Sequence, residues 1–224
     1  DPRKIKIYGH GGEMLTMQNN EDYMIDPIEN SIKIIGETDG SFDSDDYILF
    51  YARGPNGYNA ENNTNLNLYE DKISYFLSVG SEYGLRVSDF EEPVGESSYL
   101  IDYYTNYQFH ENDDYNLAKI GRRWFGDRFD FENVKTFSFD FDNLIVDQPV
   151  NIRISAAATS EITTTMNVDL NGNQLATMVF GSIGDPILAT GDSYSSNINL
   201  SSSQANLTLT YNNNGNPASS AYLD

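Results

Sequence analysis

A cationic and aromatic run near the middle of the chain combines the residue types best suited to binding a partner. Residues 121–129 read Gly-Arg-Arg-Trp-Phe-Gly-Asp-Arg-Phe. Trp124 is the only tryptophan, and Arg122, Arg123 and Arg128 belong to a set of just 13 Lys and Arg residues in a chain of formal net charge −21. Because arginine stacks on aromatic faces and pairs with carboxylates through two hydrogen bonds, the run indicates either an internal ion-pair network or a binding surface.

These two interpretations make different structural predictions. In the first, which the sequence favours, Trp124 and Phe125 fill a core and the arginines pair with nearby acidic residues. The acidic residues within reach are Asp127, Asp130 and Glu132. In the second, the run is a docking surface, because arginine and aromatic residues are enriched where protein interfaces bind most strongly. The residues of that surface are Arg122, Arg123, Trp124 and Arg128.

An acidic turn is a candidate calcium site. Asp39, Asp43 and Asp45 are interspersed with Gly and Ser, and several carboxylates on a flexible turn suit a hard cation such as Ca²⁺. The turn lacks the spacing of an EF-hand, which places a Glu at its twelfth position. The sequence therefore favours a solvated acidic turn ahead of a strand, with calcium binding as the alternative. The sequence predicts no other cofactor.

The residue types required for the commonest catalytic sites are missing or scattered. The chain has no cysteine, which excludes a cysteine nucleophile, disulfides and thiolate metal sites. His10 and His110 are far apart in the sequence and neither belongs to an HExxH motif, so a catalytic zinc site is not expected. No Gly-x-Ser-x-Gly nucleophile motif occurs. We therefore predict no catalytic residue within these 224 residues.

The overall charge limits the class of partner. A sequence pI near 4.1 argues against nucleic acid, because phosphate binding needs clustered Lys and Arg. No apolar run is long enough to span a membrane. The sequence after Arg153 has no Lys or Arg and is rich in Ser, Thr and Asn, which is typical of an exported protein. Since the chain begins with Asp1 rather than Met, we expect it to be a piece of a longer protein.

Alternating apolar and polar residues predict that strands position these candidates. The predicted strands lie at residues 4–8, 31–35, 47–53, 73–79, 84–88, 99–109, 134–141, 150–156, 166–170 and 207–211. Asn171 and Gly172 predict a type I′ hairpin. The predicted fold class is all-β, with two β-rich domains at residues 1–115 and 116–224, the second an antiparallel β-sandwich or jelly roll.

Five segments in chain order resemble a known family. They are residues 5–15, 39–43, 46–55, 65–69 with 75–77, and 121–129. Together they resemble the region ahead of the catalytic domain in PorU-type gingipain-like (family C25) cysteine peptidases. These peptidases are the sortase-like signal peptidases of the type IX secretion system in Bacteroidetes. The family pattern after the tryptophan usually contains Gly-Glu, and Asp127 keeps that charge on a shorter side chain.

The resemblance implies a setting and a set of partners. A Cys–His catalytic dyad would lie downstream of Asp224, so no catalytic residue is carried over to this chain. The location implied is the cell surface, associated with the outer membrane, for an exported protein. The implied partners are the downstream peptidase domain, outer-membrane secretion or attachment components, and exported cargo proteins. The chain itself would act in scaffolding, docking or substrate positioning. The alternative is a carbohydrate-binding or adhesin-like β-sandwich module of an exported protein.

Overall fold

The structure is a computed structural model that describes residues 1–12, 14, 26–61, 63–92, 94–95, 99–119 and 123–224. Within these residues, the regular elements are β-strands and two 3-10 helices, Pro2–Lys4 and Glu37–Asp39. The prediction of an all-β fold is confirmed. No helix in the described part of the chain is long and apolar enough to cross a membrane.

The chain divides into two compact units, Asp1–Asp102 and Tyr103–Asp224. These units are defined by their internal contacts and not by independent folding. The domain boundary that the sequence places between residues 115 and 116 therefore stays a prediction.

The first unit has a small core built from alternating isoleucines. Its strands are β1 (Ile5–Tyr8), β2 (Glu29–Asn30), β3 (Ile32–Ile35), β4 (Tyr47–Phe50) and β5 (Phe76–Val79). β1 lies between β2 and β5 in one antiparallel sheet, and β3 pairs with β4 in another. Ile5, Ile7, Ile32 and Ile34 are buried together, because residues two apart on a strand share a face.

The second unit is an antiparallel β-sandwich, as predicted. Its strands are β6 (Gly126–Phe129), β7 (Val134–Asp140), β8 (Val150–Thr159), β9 (Thr164–Leu170), β10 (Asn173–Phe180), β11 (Thr190–Ile198), β12 (Gln204–Asn212) and β13 (Ser220–Leu223). One sheet has the order β10-β9-β12-β7 and the other the order β11-β8-β13-β6. Their facing side chains form one continuous core, which includes Phe129, Ala156, Met166 and Leu209.

In β9 and the turn that follows it, the structure matches both the apolar alternation and the turn residues of the sequence. β9 buries every second residue from Thr164 to Leu170. Asn171 and Gly172 follow with φ values of 49° and 80°, and β9 pairs with β10 across them. Both positive φ values fit a type I′ turn, which confirms the predicted hairpin.

Residues 107–119, which we call the edge segment, run beside the sandwich. Tyr115 forms an antiparallel bridge with Phe125 just before β6. Leu117 packs on a second buried cluster made of Phe125, Ala157 and Tyr222. Ala157 and Tyr222 point away from the main core, since their neighbours on β8 and β13 point into it. Around β6 and β13, this sheet is therefore covered on both faces.

The predicted strand at residues 99–109 is wrong. None of these residues belongs to a strand, and Tyr99, Ile101 and Tyr103 are 86%, 80% and 69% exposed. Alternation favours a strand only where a neighbouring strand supplies a ladder of hydrogen bonds and a surface to cover one face. No named strand pairs with this segment. The predicted strand at 84–88 is likewise reduced to a single parallel bridge between Arg86 and Ile32.

Candidate functional site

The cationic run leads into β6, an edge strand of the sandwich. Phe125 and Phe129 are both buried, the first against Tyr222 on the outer side of the sheet and the second in the main core. These two phenylalanines anchor the run and leave the residues between and before them at the surface. Arg122 lies outside the described residues, so the docking prediction is followed here through Arg123, Trp124 and Arg128.

Trp124 does not fill a core, and the expectation that it does is wrong. Its side chain is 38% exposed, whereas the adjacent Phe125 is 6% exposed. Phe125 exchanges two backbone hydrogen bonds with Tyr115, at 2.9 Å and 2.7 Å. This pairing holds Phe125 against the sheet, and consecutive residues of an extended chain point to opposite sides. The sequence pattern could not tell which of the two adjacent aromatic rings would be buried.

Arg123 pairs with a carboxylate from the far end of the chain. Its Nη2 lies 2.6 Å from Asp224 Oδ2, and its guanidinium lies 5.1 Å from the centre of the Phe125 ring. The partner is none of the nearby acidic residues that the sequence suggested. Since 62% of the Arg123 side chain is exposed, the pair contributes little to stability and the guanidinium is accessible to a partner.

Arg128 pairs with a nearby acidic residue, as the first interpretation of the run predicts. Its Nε lies 3.0 Å from Asp130 Oδ2, and its Nη2 donates to Ser220 Oγ at 3.2 Å. β6 pairs with β13 through Arg128 and Tyr222, which brings Ser220 within reach. Arg128 therefore stabilises the edge of the sheet, and its charge is already balanced by Asp130.

Asp127 is the centre of a polar cluster that joins three elements. His110 Nε2 lies 2.5 Å from Asp127 Oδ2, and Asn112 Nδ2 donates to the same oxygen at 3.0 Å. Lys135 Nζ, on β7, lies 3.4 Å from Asp127 Oδ1. We call these four residues the Asp127 clamp. It ties the edge segment to β6 of one sheet and to β7 of the other.

Electrostatics and backbone conformation both indicate that the Asp127 clamp stabilises an ionised carboxylate in a fixed position. Partial burial alone raises the pKa of the Asp127 carboxyl, but the hydrogen bond and charge of His110, with Asn112 and Lys135, hold it below its ordinary value. Asp127 has a φ of +36°, in the left-handed region that non-glycine residues rarely adopt. A Cβ at the preceding Gly126 would collide with Asn112. The contacts of Asp127 thus hold a conformation that the free chain disfavours.

Sequence reasoning missed this cluster. His110 and Asp127 are 17 positions apart, and no local pattern in the sequence connects them. The available signal is a lone histidine in a polar stretch, with a Gly-Asp pair further on in the cationic run. It does not show which carboxylate the imidazole meets.

A second carboxyl near the run binds a proton at an unusually high pH. Burial raises the pKa of Asp113 to about 6, with further increases from the negative charges of Glu111, Asp224 and Asp114. Asp224 is also the partner of Arg123. The charge of a carboxyl that interacts with Asp224, the partner of Arg123, therefore changes near pH 6.

The carboxylates of the acidic turn do not converge on a single position where a cation could bind. Asp39 Oδ1 accepts from the Ser41 backbone N–H at 2.9 Å, and Asp46 Oδ2 accepts from the Asp43 N–H at 2.8 Å. Asp39, Asp43 and Asp45 are all exposed. Within the described ranges, no group of three or more His, Cys, Asp or Glu residues is placed to hold a metal ion. Calcium binding at Asp39, Asp43 and Asp45 stays a prediction.

The arrangement around β6 is suited to recognition. It offers an exposed indole at Trp124 and an exposed guanidinium at Arg123, on a strand edge that the Asp127 clamp fixes in place. An indole and a guanidinium can contact an apolar surface and a carboxylate of a partner.

The fold and this site define a β-rich chain of two units. The chain is similar to dimeric latent PorU from Porphyromonas gingivalis, with a TM-score of 0.66 and 22% sequence identity over 100% of this chain. The chain spans 21% of that PorU chain, about a fifth of its length. At this identity the similarity shows a shared fold.

Other comparisons add no functional assignment. No protein-family model matches the chain, and no curated protein matches it significantly. The carbohydrate-binding module CBM36 in complex with calcium and xylotriose aligns with 43% of this chain and 74% of that module, at a TM-score of 0.31 and 18% identity. That similarity is too remote to support an inference about this chain.

Proposed function

We propose that the chain is a non-catalytic module of a PorU-type cysteine peptidase, located ahead of the peptidase domain at the cell surface. The supporting observation is the similarity of fold to PorU over the whole chain. The chain has no cysteine, so a cysteine nucleophile must come from another part of the protein. The module serves as a scaffold that docks the peptidase domain and helps to position exported cargo beside outer-membrane attachment components.

The docking surface of this proposal is the edge that carries Arg123 and Trp124. Both side chains are exposed, and Trp and Arg are the residues that most often dominate binding energy at interfaces. The edge is held by the Asp127 clamp, and a surface that is already ordered loses less entropy when it binds. The partner is the peptidase domain of the same protein.

The gene provides the first test. We expect the reading frame beyond Asp224 to encode a domain with a His and Cys catalytic pair. A frame that encodes no such domain would overturn the proposal outright.

The second test probes docking in the full-length protein. Trp124→Ala should abolish cross-links between the edge segment and the peptidase domain and speed release of that domain by limited proteolysis at least tenfold. Phe90→Ala is the matched control, because Phe90 is an exposed aromatic of the first unit. The melting temperature should be unchanged in both variants. Unaltered cross-linking and proteolysis in Trp124→Ala would show that docking occurs elsewhere.

A further inference from the structure

An open pocket of about 490 Å³ lies at one end of the β-sandwich, apart from the docking surface. Its volume is typical of small-ligand sites. Asn167 and Thr210 are opposite each other on β9 and β12, on the outward face of their sheet, and the turn between β6 and β7 borders them. The lining residues that carry the argument are Phe131, Asn133, Asn167, Thr210, Asn212 and Asn213.

Three of the four asparagines are fixed through their side-chain oxygens. Asn167 Oδ1 accepts from Thr177 Oγ1 at 2.9 Å, Asn212 Oδ1 from the Asn214 N–H at 2.9 Å, and Asn213 Oδ1 from the Gly215 N–H at 3.0 Å. Their amide NH₂ groups have no hydrogen-bond acceptor in the described part of the protein. The result is a set of oriented donors.

Asn133 supplies a hydrogen-bond acceptor instead of a donor. Its Nδ2 donates to the Tyr211 backbone oxygen at 3.0 Å, which leaves its side-chain oxygen as an acceptor. A pocket with several amide donors and an amide acceptor, each fixed at one end, can bind neighbouring hydroxyl groups, which both donate and accept. Because the amides are already held, little side-chain entropy is lost on binding.

Phe131 places an apolar ring beside these polar groups. The ring is fully exposed, at 102%, and the Phe131 N–H donates to Asp130 Oδ1 at 2.6 Å, which fixes the turn. Phenylalanine is usually buried, so a full ring in solvent at the border of a polar pocket is unusual. The negative face of an aromatic ring attracts the weakly positive C–H groups on the flat side of a sugar.

The charge of the site selects among hydroxyl-rich ligands. No Lys, Arg or His lines the pocket, and its one carboxylate, Asp130, is paired with Arg128 at 3.0 Å. The sheet surface that continues from the pocket carries uncharged pairs, Thr136 with Thr208 at 2.9 Å and Ser138 with Asn206 at 2.7 Å. A phosphate or sulfate group would find no cation there, in a protein of net charge −21.

We infer that this pocket binds a neutral oligosaccharide, with Phe131 stacked on a sugar ring and the asparagine amides hydrogen-bonded to its hydroxyls. The site is independent of the docking edge, because neither Arg123 nor Trp124 lines the pocket. The sequence indicates a carbohydrate-binding module as the alternative function without locating a binding site. The pocket supplies a candidate site for that class of ligand.

The test uses neutral trisaccharides of glucose, xylose, mannose and N-acetylglucosamine, titrated into the 224-residue chain by calorimetry and by amide NMR. We expect saturable binding of at least one trisaccharide, with shifts in the side-chain NH₂ signals of Asn167, Asn212 and Asn213. Phe131→Ala and Asn167→Ala should each weaken binding at least tenfold. Phe90→Ala, an exposed ring on the other unit, should leave the affinity unchanged.

Three results would overturn the inference. They are no saturable binding of any trisaccharide, binding that shifts only signals remote from the pocket, and equal affinity in Phe131→Ala, Asn167→Ala and the unsubstituted chain. All of these substitutions are at the surface, so unchanged NMR dispersion confirms that each variant is folded. Failure here leaves the proposed docking role intact, because that role uses Trp124 and a different measurement.

Discussion

The strands of the two units show the same alternation of apolar and polar residues, but the two units bury cores of very different size. In the second unit, two four-stranded sheets face each other and bury a core that includes Phe129, Phe180 and Leu209. In the first unit, the described residues bury a core of only four isoleucines. Alternation therefore yields a large core only where a second sheet covers the apolar face.

The difference is visible in the exposed side chains. All four residues of β5 are exposed, and Tyr51 and Phe90 are more than 80% exposed. In contrast, all four residues of β13 are buried, because the edge segment covers the face of that sheet that the sandwich core does not. The first unit has the composition of a β-domain but covers less of its own apolar surface, so its stability depends on fewer contacts.

The largest effect is expected from the sandwich core. Phe129→Ala should lower the free energy of unfolding of the second unit by about 3 to 5 kcal/mol, because a fully buried ring is lost and a cavity remains. Urea denaturation would measure the change. Phe90→Ala, with the same chemistry at an exposed site of the first unit, should change it by less than about 0.5 kcal/mol. Equal losses in the two variants would contradict the contrast between the units.

The next effect should be confined to the small core. Ile32→Ala removes a fully buried side chain and should cost about 2 to 5 kcal/mol. In NMR spectra, the signals of β1 and β3 should lose dispersion while those of β8 and β12 stay in place. Ile28→Ala, at a half-exposed position, should leave both sets unchanged. Simultaneous loss of the β8 and β12 signals would show that the two units unfold together.

A smaller, pH-dependent effect is expected at Asp113. Its pKa of about 6 in the folded chain lies above the ordinary 3.8, so folding is favoured when this carboxyl is protonated. Its contribution is greatest below about pH 4 and is lost as the pH rises through about 6. Asp113→Asn should therefore raise the free energy of unfolding by about 1 kcal/mol near pH 7.5, a value reduced because the group is partly exposed, and leave it unchanged near pH 4.

Urea denaturation at these two pH values would measure the Asp113 effect. Asp45→Asn, an exposed carboxyl in the first unit, is the control and should show no such difference. A stabilisation of Asp113→Asn that is the same at both pH values would rule out titration of this carboxyl as its cause.

The smallest effect is expected at the docking edge. Arg123→Gln should cost less than about 1 kcal/mol, because the pair with Asp224 is exposed to solvent and screened by salt. A double-mutant cycle with Asp224→Asn, at low and high salt, would measure the coupling. Arg153→Gln is the control, since Arg153 has no ion pair in the part of the chain that the structure describes. A coupling above about 2 kcal/mol would show that Arg123 is mainly structural.

The sequence predicted the fold class because strand alternation and turn residues are local signals. β7, β8, β9 and β12 lie where period-two patterns placed them, and Asn171-Gly172 forms the expected hairpin. The same signal failed at residues 99–109, since alternation carries no information about whether a partner strand is present.

The candidate site was predicted only in part because its contacts are not local. Arg128 meets Asp130, two positions away, but Arg123 meets Asp224 and Asp127 meets His110. These pairs depend on which strand edges adjoin one another. The sequence of residues 121–129 carries no information about that arrangement. The exposure of Trp124 follows from the bridge between Phe125 and Tyr115, which is equally non-local.

The edge segment has a consequence for self-association. β6 and β7 are the outer strands of their sheets on one side of the sandwich, and unpaired outer strands can recruit strands from other copies of a protein. Tyr115 pairs beside β6, and Gln108 donates to the Asp140 carbonyl at the end of β7. The chain thereby blocks strand addition at this side with its own backbone and side chains. Removing the edge segment, with Gln108 and Tyr115, would expose both outer strands and favour the addition of strands from other copies of the protein.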